Sequence, residues 1–182
     1  MNPSRLLEAL AFAAEKHRDQ RRKDAEASPY INHPIAVASV LAVEAQVMDE
    51  STLIAAILHD TVEDTETSVS ELVRTFGDEV AQLVAEVTDD KSLPKQERKD
   101  LQVVHAAAAS SSAKRLKMAD KICNVRDVTA HPPGKWSLER RREYLNWAGR
   151  VVAGCRGVDA RLEEIFDETL RDGWETLGGP LV

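Results

Sequence analysis

The sequence predicts an all-α fold, a single domain of about eight to ten packed helices. Apolar residues recur at helical spacing along most of the chain. No stretch alternates apolar and polar residues beside an Asn-Gly or Asp-Gly turn, so no strand or hairpin is predicted. The 182 residues, of which 43% are hydrophobic and 30% charged, are enough to enclose one core.

Charge and composition exclude several classes of protein. With 24 basic and 31 acidic residues the formal net charge is −7, which argues against general nucleic-acid binding but allows a local basic pocket. No apolar run approaches the roughly 20 residues that cross a bilayer, and no secretory signal begins the chain. Two cysteines cannot form a disulfide framework, so we expect a cytoplasmic protein. Because no apolar run is long enough to span a bilayer, we expect no membrane partner.

The first three predicted helices each begin at a recognisable residue. Asn2 caps the first helix and Pro3 occupies its first position. Pro34 opens the second helix and Asp49 caps the third, which runs through Leu58. The inward stripe of the first helix comprises Leu6, Leu7, Leu10, Ala13, Ala14 and His17, and that of the second comprises Ile35, Ala38, Leu41, Ala42 and Ala45.

The rest of the chain continues the helical pattern. Ser68 and Glu71 form a capping-box pair, and Gly77 ends the helix that they begin. Further helices are predicted over 80–87, 96–108, 113–128, 138–152 and 158–170. We expect one domain over 1–182, with a core at about 4–170 and a loosely packed tail at 173–182. Trp174 and Leu177 in that tail are an alternative contact for a homodimer.

Four polar residues interrupt the apolar stripes and predict a metal site. They are His33, His59, Asp60 and Asp120. Each alone fits a helix cap or a satisfied buried histidine equally well. Together, two neutral imidazoles and two carboxylates balance one divalent cation. Mixed nitrogen and oxygen donors without thiolate favour Mn²⁺, with iron, cobalt or zinc as alternatives, and Cys123 is expected in the core rather than on the metal.

Two acidic residues follow the His59-Asp60 pair by four positions. On a continuing helix Glu63 and Asp64 share the face of His59 and Asp60, which directs both carboxylates toward the metal. Carboxylates so placed can orient an attacking water and exchange protons with it. The alternative is a polar helix end, with Asp64 capping the next turn.

Basic residues form three runs that point to an anionic ligand. The runs are Lys16, Arg18, Arg21, Arg22 and Lys23, then Lys91, Lys95, Arg98 and Lys99, then Lys114, Arg115, Lys117 and Lys121. We expect about half of these residues to be a solvated face. The others could bind a phosphorylated substrate, since arginine grips phosphate in a bidentate manner and stacks on base rings.

Several linked motifs resemble the HD-domain hydrolase of the RelA/SpoT alarmone enzymes. The motifs are Arg22-Lys23, Pro29-Tyr30-Ile31-Asn32-His33-Pro34, His59-Asp60-Thr61-Val62-Glu63-Asp64-Thr65, Val87-Thr88-Asp89-Asp90-Lys91, Glu97-Arg98-Lys99 and Lys117-Met118-Ala119-Asp120-Lys121-Ile122-Cys123-Asn124, followed by Trp136, Glu143-Tyr144 and Trp147-Ala148. The similarity extends from about Leu6 to Ile165. It is greatest to the stand-alone small alarmone hydrolases, and we expect no synthetase domain of the kind that follows the hydrolase in the long bifunctional members.

The resemblance implies an HD-domain helical bundle and a manganese-dependent pyrophosphohydrolase. Its substrates would be guanosine 3′,5′-bis(diphosphate) (ppGpp) and the 5′-triphosphate relative (pppGpp), which yield GDP or GTP and pyrophosphate and so end stringent-response signalling. By matching position, His33, His59, Asp60 and Asp120 would hold the metal and Glu63 and Asp64 would activate water. Arg22 and Lys23 would contact the guanine and a phosphate, Lys95 a phosphate, Asn124 the ribose, and Tyr144 the pocket wall.

Three other functions are compatible with the same sequence. The first is another nucleotide phosphohydrolase on this scaffold, such as an NADPH 2′-phosphatase. The second is a nucleotide-binding regulator that no longer cleaves, although no metal or acid position is lost. The third is a helical interaction protein without chemistry. Fold analogy alone does not decide among them.

Overall fold

The structure is a computed structural model that describes residues 1–179, and this part of the chain contains helices and no β-strand. The all-α prediction is confirmed. The helices are α1 (Pro3–Lys16), α2 (Asn32–Ser39), α3 (Glu50–Leu58), α4 (Thr61–Asp64), α5 (Val69–Phe76), α6 (Asp78–Val87), α7 (Lys95–Ala106), α8 (Ser111–Ala130), α9 (Leu138–Cys155) and α10 (Ala160–Thr176). A π-helical turn, Val40–Glu44, follows α2 directly. Among the described helices, none combines the length and hydropathy that a membrane span requires.

The predicted helix caps are confirmed. Asn2 Oδ1 accepts from the Ser4 amide at 3.0 Å, and Asp49 Oδ1 accepts from the Thr52 amide at 2.8 Å. Ser68 Oγ accepts from the Glu71 amide at 3.2 Å. Gly77 ends α5 with φ of +92°, a conformation that L side chains rarely adopt. These caps satisfy backbone amides that have no partner within their own helix.

Helix α8 lies at the centre of the bundle and packs against α2, α3, α6, α9 and α10. Leu116, Met118, Ile122 and Val125 of α8 are almost fully buried. Cys123 is 5% exposed and lies among these core residues, as the sequence predicts. Because α8 is surrounded by other helices, a polar side chain on its inner face must find a partner within the protein.

Helix α2 differs from the prediction in its start and in its inner face. It begins at Asn32 rather than at Pro34. Its buried residues are His33, Pro34 and Val37, whereas Ile35, predicted to point inward, is 44% exposed. The prediction for Ile35 is wrong because the inner face follows His33 and Val37, which are four residues apart, and Ile35 lies between them on the opposite side.

The predicted loose tail is ordered over most of its length. Helix α10 continues through Thr176, and Leu177 is 3% exposed. The apolar stripe of α10 extends to Leu177, whose carbonyl accepts from Arg142 Nε at 2.9 Å. The expected exposure of Leu177 is therefore wrong, and this residue does not offer the free surface that a homodimer contact there would need. Residues 180–182 of the predicted tail lie outside the described residues.

Candidate active site

Four predicted metal ligands converge from three parts of the chain. His33 is in the first turn of α2, and Asp120 is in the middle of α8. His59 and Asp60 occupy the two positions between α3 and α4. His33 is 4% exposed and His59 is 6% exposed. We refer to these four residues as the ligand cluster.

The distances within the ligand cluster are those of groups that can share one ion. His33 Nε2 lies 3.1 Å from Asp120 Oδ1 and 3.8 Å from Asp60 Oδ2. His59 Nε2 lies 3.2 Å from Asp60 Oδ2 and 4.0 Å from Asp120 Oδ1. One donor atom from each of His33, His59 and Asp60 lies within 4.8 Å of the other two.

The donor set fits a divalent cation. His59 Nδ1 lies 2.8 Å from the Ala56 carbonyl, which only accepts, so Nδ1 carries the hydrogen. The Nε2 atom of His59 is buried and makes no hydrogen bond within the described residues, although it faces the carboxylates. An imidazole fixed through Nδ1 with Nε2 turned toward two carboxylates is the usual arrangement of a metal-binding histidine.

The charges of the ligand cluster depend on one another. Burial opposes the imidazolium form of His59, but the charges of Asp60 and Asp120 outweigh burial and raise its pKa to about 9. Burial likewise opposes ionisation of Asp60 and Asp120, yet neighbouring cationic groups lower the pKa of both. The cationic group is His59 for Asp60, and Lys121 and His59 for Asp120, whose pKa is lowered further by its hydrogen bond with His33. Both carboxylates are therefore ionised and available to a cation.

Three further side chains hold the cluster carboxylates in place. Tyr30 Oη donates to Asp60 Oδ2 at 2.7 Å. On Asp120, Oδ1 accepts from Asn124 Nδ2 at 2.6 Å and Oδ2 accepts from Lys121 Nζ at 2.7 Å. Sequence reasoning did not assign these contacts. The sequence signals for Lys121 are its place in the third basic run and its position beside Asp120, and neither assigns its contact with that carboxylate.

The two predicted catalytic acids lie on a helix of their own. The prediction assumed that α3 continues, but the chain leaves the helix at His59 and restarts as the single turn α4, which contains Glu63 and Asp64. Glu63 Oε2 accepts from the Asp89 amide at 3.2 Å. Burial, supported by nearby acidic groups, raises the pKa of Glu63 to about 7. A carboxylate with this pKa can both accept and release a proton near neutral pH.

Two adjoining cavities contain the predicted substrate-binding residues. One has a volume of about 320 Å³ and is lined in part by Arg22, Lys23, Asn124 and Tyr144. The other, of about 820 Å³, is lined in part by Lys23, Glu63, Asp64, Lys95 and Tyr144. Lys23, Asp64, Trp136 and Tyr144 belong to both linings, so the cavities are contiguous. They are next to the ligand cluster, since Tyr30 and Asn124 line the first cavity and bond to cluster carboxylates.

Positive charge is concentrated at the wall of the larger cavity. Burial lowers the pKa of Lys95, and the neighbouring charges of Arg140, Lys23 and Arg98 lower it further. Other members of the basic runs are paired elsewhere, such as Lys16, which lies 2.9 Å from Glu71. Cations that destabilise one another beside a cavity favour an anionic ligand there.

Comparison with known proteins decides the family. The HD domain family matches residues 9–146. The protein named guanosine-3′,5′-bis(diphosphate) 3′-pyrophosphohydrolase MESH1 from Danio rerio is 54% identical over 159 residues, covering 87% of this chain and 88% of that protein. The chain belongs to the MESH1 family of HD-domain proteins. The resemblance to small alarmone hydrolases is confirmed.

Other members of the MESH1 family are equally similar. The Homo sapiens protein of the same name is 55% identical over 161 residues, covering 88% of this chain and 90% of that protein. A solved structure entitled "A metazoan ortholog of SpoT hydrolyzes ppGpp and plays a role in starvation responses" superimposes with a TM-score of 0.91 at 49% identity. It covers 94% of this chain and 97% of that one. The similarity therefore includes the fold over most of the chain.

Proposed function

We propose that this chain hydrolyses ppGpp, removing the 3′-pyrophosphate to give GDP, and acts on pppGpp to give GTP. The observation that carries this proposal is the ligand cluster beside two carboxylates and a cation-lined pair of cavities. MESH1 relatives at 54% and 55% identity carry the name of this reaction. The reaction ends the signal that ppGpp provides in the stringent response.

The metal of this reaction would be held by His33, His59, Asp60 and Asp120. Two imidazole nitrogens and two carboxylates, without thiolate, favour Mn²⁺ among divalent ions. When bound, such an ion supplies Lewis-acid stabilisation of the charge on the phosphoryl oxygens. Tyr30, Asn124 and Lys121 donate hydrogen bonds to the carboxylates of Asp60 and Asp120, so these carboxylates are oriented before an ion arrives.

Proton transfer is assigned to Glu63 and Asp64. Both line the larger cavity, and Asp64 also lines the smaller one. From there their carboxylates can orient the attacking water, accept its proton and return one to the departing 3′-oxygen. The pKa of Glu63, about 7, matches that exchange at neutral pH.

Substrate binding is assigned to the cavity walls. Arg22 lies over the Tyr30 ring, 5.6 Å from its centroid, and faces the smaller cavity, where it can stack on guanine. Lys23 and Lys95 are placed for phosphate contacts, Asn124 for the ribose and Tyr144 for the wall that both cavities share. The two free, buried cysteines agree with a reducing cytoplasmic location.

Product analysis tests the proposal directly. Purified protein is incubated with ppGpp, with and without Mn²⁺, and the products are separated by anion exchange. We expect GDP and pyrophosphate only with the ion. The Asp60→Asn variant is expected to lose both bound metal and turnover, because the substitution removes one of the two carboxylate charges. Faster release of phosphate from NADPH than of pyrophosphate from ppGpp would contradict the assignment.

A further inference from the structure

The connection between α1 and α2, residues 17–31, carries a hydrogen-bond chain that reaches Asp64. His17 follows α1 directly and is 2% exposed. Its Nδ1 lies 2.7 Å from Gln20 Oε1. Gln20 Nε2 in turn donates to Asp64 Oδ2 at 3.0 Å. Two polar side chains outside the ligand cluster thus lead from the core to a predicted catalytic acid.

The chemistry of the three groups fixes the direction of this chain. A carboxylate only accepts hydrogen bonds, so Gln20 must present its NH₂ group to Asp64. The carbonyl of the Gln20 amide then faces His17, which must donate from Nδ1. The opposite ring nitrogen, Nε2, is buried and makes no hydrogen bond among the described residues. Within residues 1–179 the His17 ring therefore has one hydrogen-bond contact, and that contact sets the orientation of the Gln20 amide.

His17 and Gln20 are themselves held by Tyr30. The rings of His17 and Tyr30 stack with centroids 4.8 Å apart. The backbone amide of Tyr30 donates to the backbone carbonyl of Gln20 at 3.1 Å. Since Tyr30 Oη also donates to Asp60, one segment supports both a ligand-cluster carboxylate and Asp64. The relative placement of Asp60 and Asp64 thus depends on this connection as well as on α4.

We propose that Gln20 is a positioning residue for Asp64, and that His17 acts through Gln20 by fixing the orientation of its amide. The proposal rests on the proposed function, in which Asp64 serves the attacking water. Neither residue contacts the ligand cluster, and neither is among the residues assigned above to metal, proton transfer or substrate.

Asp64 needs such support because its other side-chain contact is with an exposed lysine. Asp64 Oδ1 pairs with Lys91, whose side chain is 48% exposed and lies between α6 and α7. A long exposed lysine holds a carboxylate only loosely. Helix α4 has a single turn and does not itself restrain the side chain. Without Gln20, only Lys91 would hold the Asp64 carboxylate, which could then turn away from the smaller cavity.

Steady-state kinetics with ppGpp and Mn²⁺ test the role of Gln20. The Gln20→Met variant keeps the length of the side chain but has no donor. We expect kcat to fall about tenfold to a hundredfold, the range typical of lost supporting hydrogen bonds, with KM changed by less than about twofold. Gln82→Met, an identical change at an exposed position on α6, is the control and should keep wild-type kcat. An unchanged kcat for Gln20→Met would overturn the proposal.

A double-mutant cycle separates positioning from a general structural effect. If Gln20 acts through Asp64, Gln20→Met adds no further loss in kcat to the Asp64→Ala variant. Equal losses in both backgrounds would contradict the proposal.

The role of His17 is tested by a matched pair of substitutions. His17→Asn retains a donor close to the position of Nδ1, whereas His17→Leu has a similar shape and none. We expect His17→Asn to retain a kcat well above that of His17→Leu. Equal kcat values in the two variants would show that the donor is irrelevant.

Crystal structures of the two His17 variants provide a readout that is independent of turnover. The contact between Gln20 and Asp64 should persist in His17→Asn and be lost in His17→Leu. Its persistence in both would overturn the role of His17, whatever substrate the protein hydrolyses. If the wild type fails to hydrolyse ppGpp while the structures behave as expected, the proposed function is wrong and the positioning contact stands.

Discussion

At the scale of single residues, Glu63 has an environment that opposes its ionised form. Its side chain is only 21% exposed, and Asp89, Asp60 and Asp64 add negative charge around it. Burial and these charges raise the pKa of Glu63 to about 7. A carboxylate that ionises more readily in the unfolded chain than in the folded one lowers stability as pH rises. Glu63 thus favours proton exchange at a cost in stability.

Replacing Glu63 should reveal that cost as a pH dependence of Tm. Below about pH 4.5 the side chain is protonated in both states, and between about 4.5 and 7 only the folded state keeps its proton. The cost therefore grows over this window and is complete above it. In metal-free protein, we expect the Tm of Glu63→Gln minus that of the wild type to be larger at pH 8 than at pH 5. Calorimetry in the presence of EDTA measures both Tm values at each pH.

The exposed Glu66→Gln is the control for the change from carboxylate to amide at the same pH values. A Tm difference for Glu63→Gln that stays constant between pH 5 and pH 8 would contradict the raised pKa.

Tyr30 offers a second residue-scale prediction, on metal affinity. Tyr30→Phe removes only the hydroxyl that donates to Asp60 Oδ2. We expect Mn²⁺ to bind at least about tenfold more weakly, because a carboxylate that loses its supporting donor is less well oriented. Isothermal titration of the metal into apo protein gives the Kd. Tyr144→Phe, which removes a hydroxyl from the cavity wall, is the matched control, and an equal loss in both variants would refute the prediction.

At the scale of elements, α7 and α9 meet at a point where no side chain fits. A Cβ atom at Gly154 would lie 2.8 Å from Ala106 Cβ and 3.0 Å from the Ala107 amide nitrogen. Glycine therefore permits the approach of α9 to the end of α7, the helix that carries Lys95 and Arg98. The position of these cations at the cavity depends on that contact.

Two glycines of α9 should respond in opposite ways to alanine. Gly154→Ala forces the end of α7 to move, and we expect a loss of about 1–3 kcal/mol in the free energy of unfolding. At Gly149 a Cβ would lie 3.6 Å from Leu170 Cδ2, an ordinary contact, so Gly149→Ala should be neutral or stabilise by about 0.5–1 kcal/mol. Urea denaturation, analysed with a common m-value, compares the free energies of unfolding of the two variants and the wild type. Equal stability of both variants would show that the α7–α9 contact yields without cost.

At the scale of the whole molecule, the ligand cluster connects helices that are distant in sequence. His33 and Asp120, whose side chains meet at 3.1 Å, are 87 positions apart. An ion bound by α2, by the α3–α4 turn and by α8 stabilises only the folded chain, because the unfolded chain does not bring these groups together.

Metal should therefore raise the unfolding temperature. At about 100 times its Kd, Mn²⁺ should add about 2.7 kcal/mol to the free energy of unfolding. Thermal melts of the EDTA-treated protein, with and without Mn²⁺, measure the shift in Tm. We expect Asp60→Asn to lose most of the shift. A wild-type Tm that does not respond to the metal would argue against the cluster as an ion site.

The sequence predicted the local features of this molecule well. The caps at Asn2, Asp49 and Ser68 were predictable because each involves residues two or three positions apart. The ligand cluster was predicted by its chemistry and by family resemblance, and the structure places His33, His59 and Asp60 together with Asp120 beside both histidines. The separate helix that Glu63 and Asp64 occupy was not predicted, because spacing alone does not reveal that the chain leaves α3 and restarts as α4.

Contacts between distant residues outside the ligand cluster were the features that the sequence could not predict. Tyr30 and Asp60 are 30 positions apart, and Gln20 and Asp64 are 44 apart. Neither pair forms a periodic or charged pattern, since one partner in each is an uncharged polar residue in a connecting segment. The burial of Leu177 was missed for a related reason, because its side chain packs into a core formed by residues of other helices.

The position of Asp120 on α8 has a consequence for how this protein can diverge. The same helix supplies Leu116, Met118 and Ile122 to the interior, so selection acts on its residues for both folding and chemistry. The connections at 17–31 and 131–137 contribute to the cavity walls and, apart from His17, carry little of the interior. New substrate preferences should therefore arise by substitutions in these two segments, while the ion site is inherited unchanged.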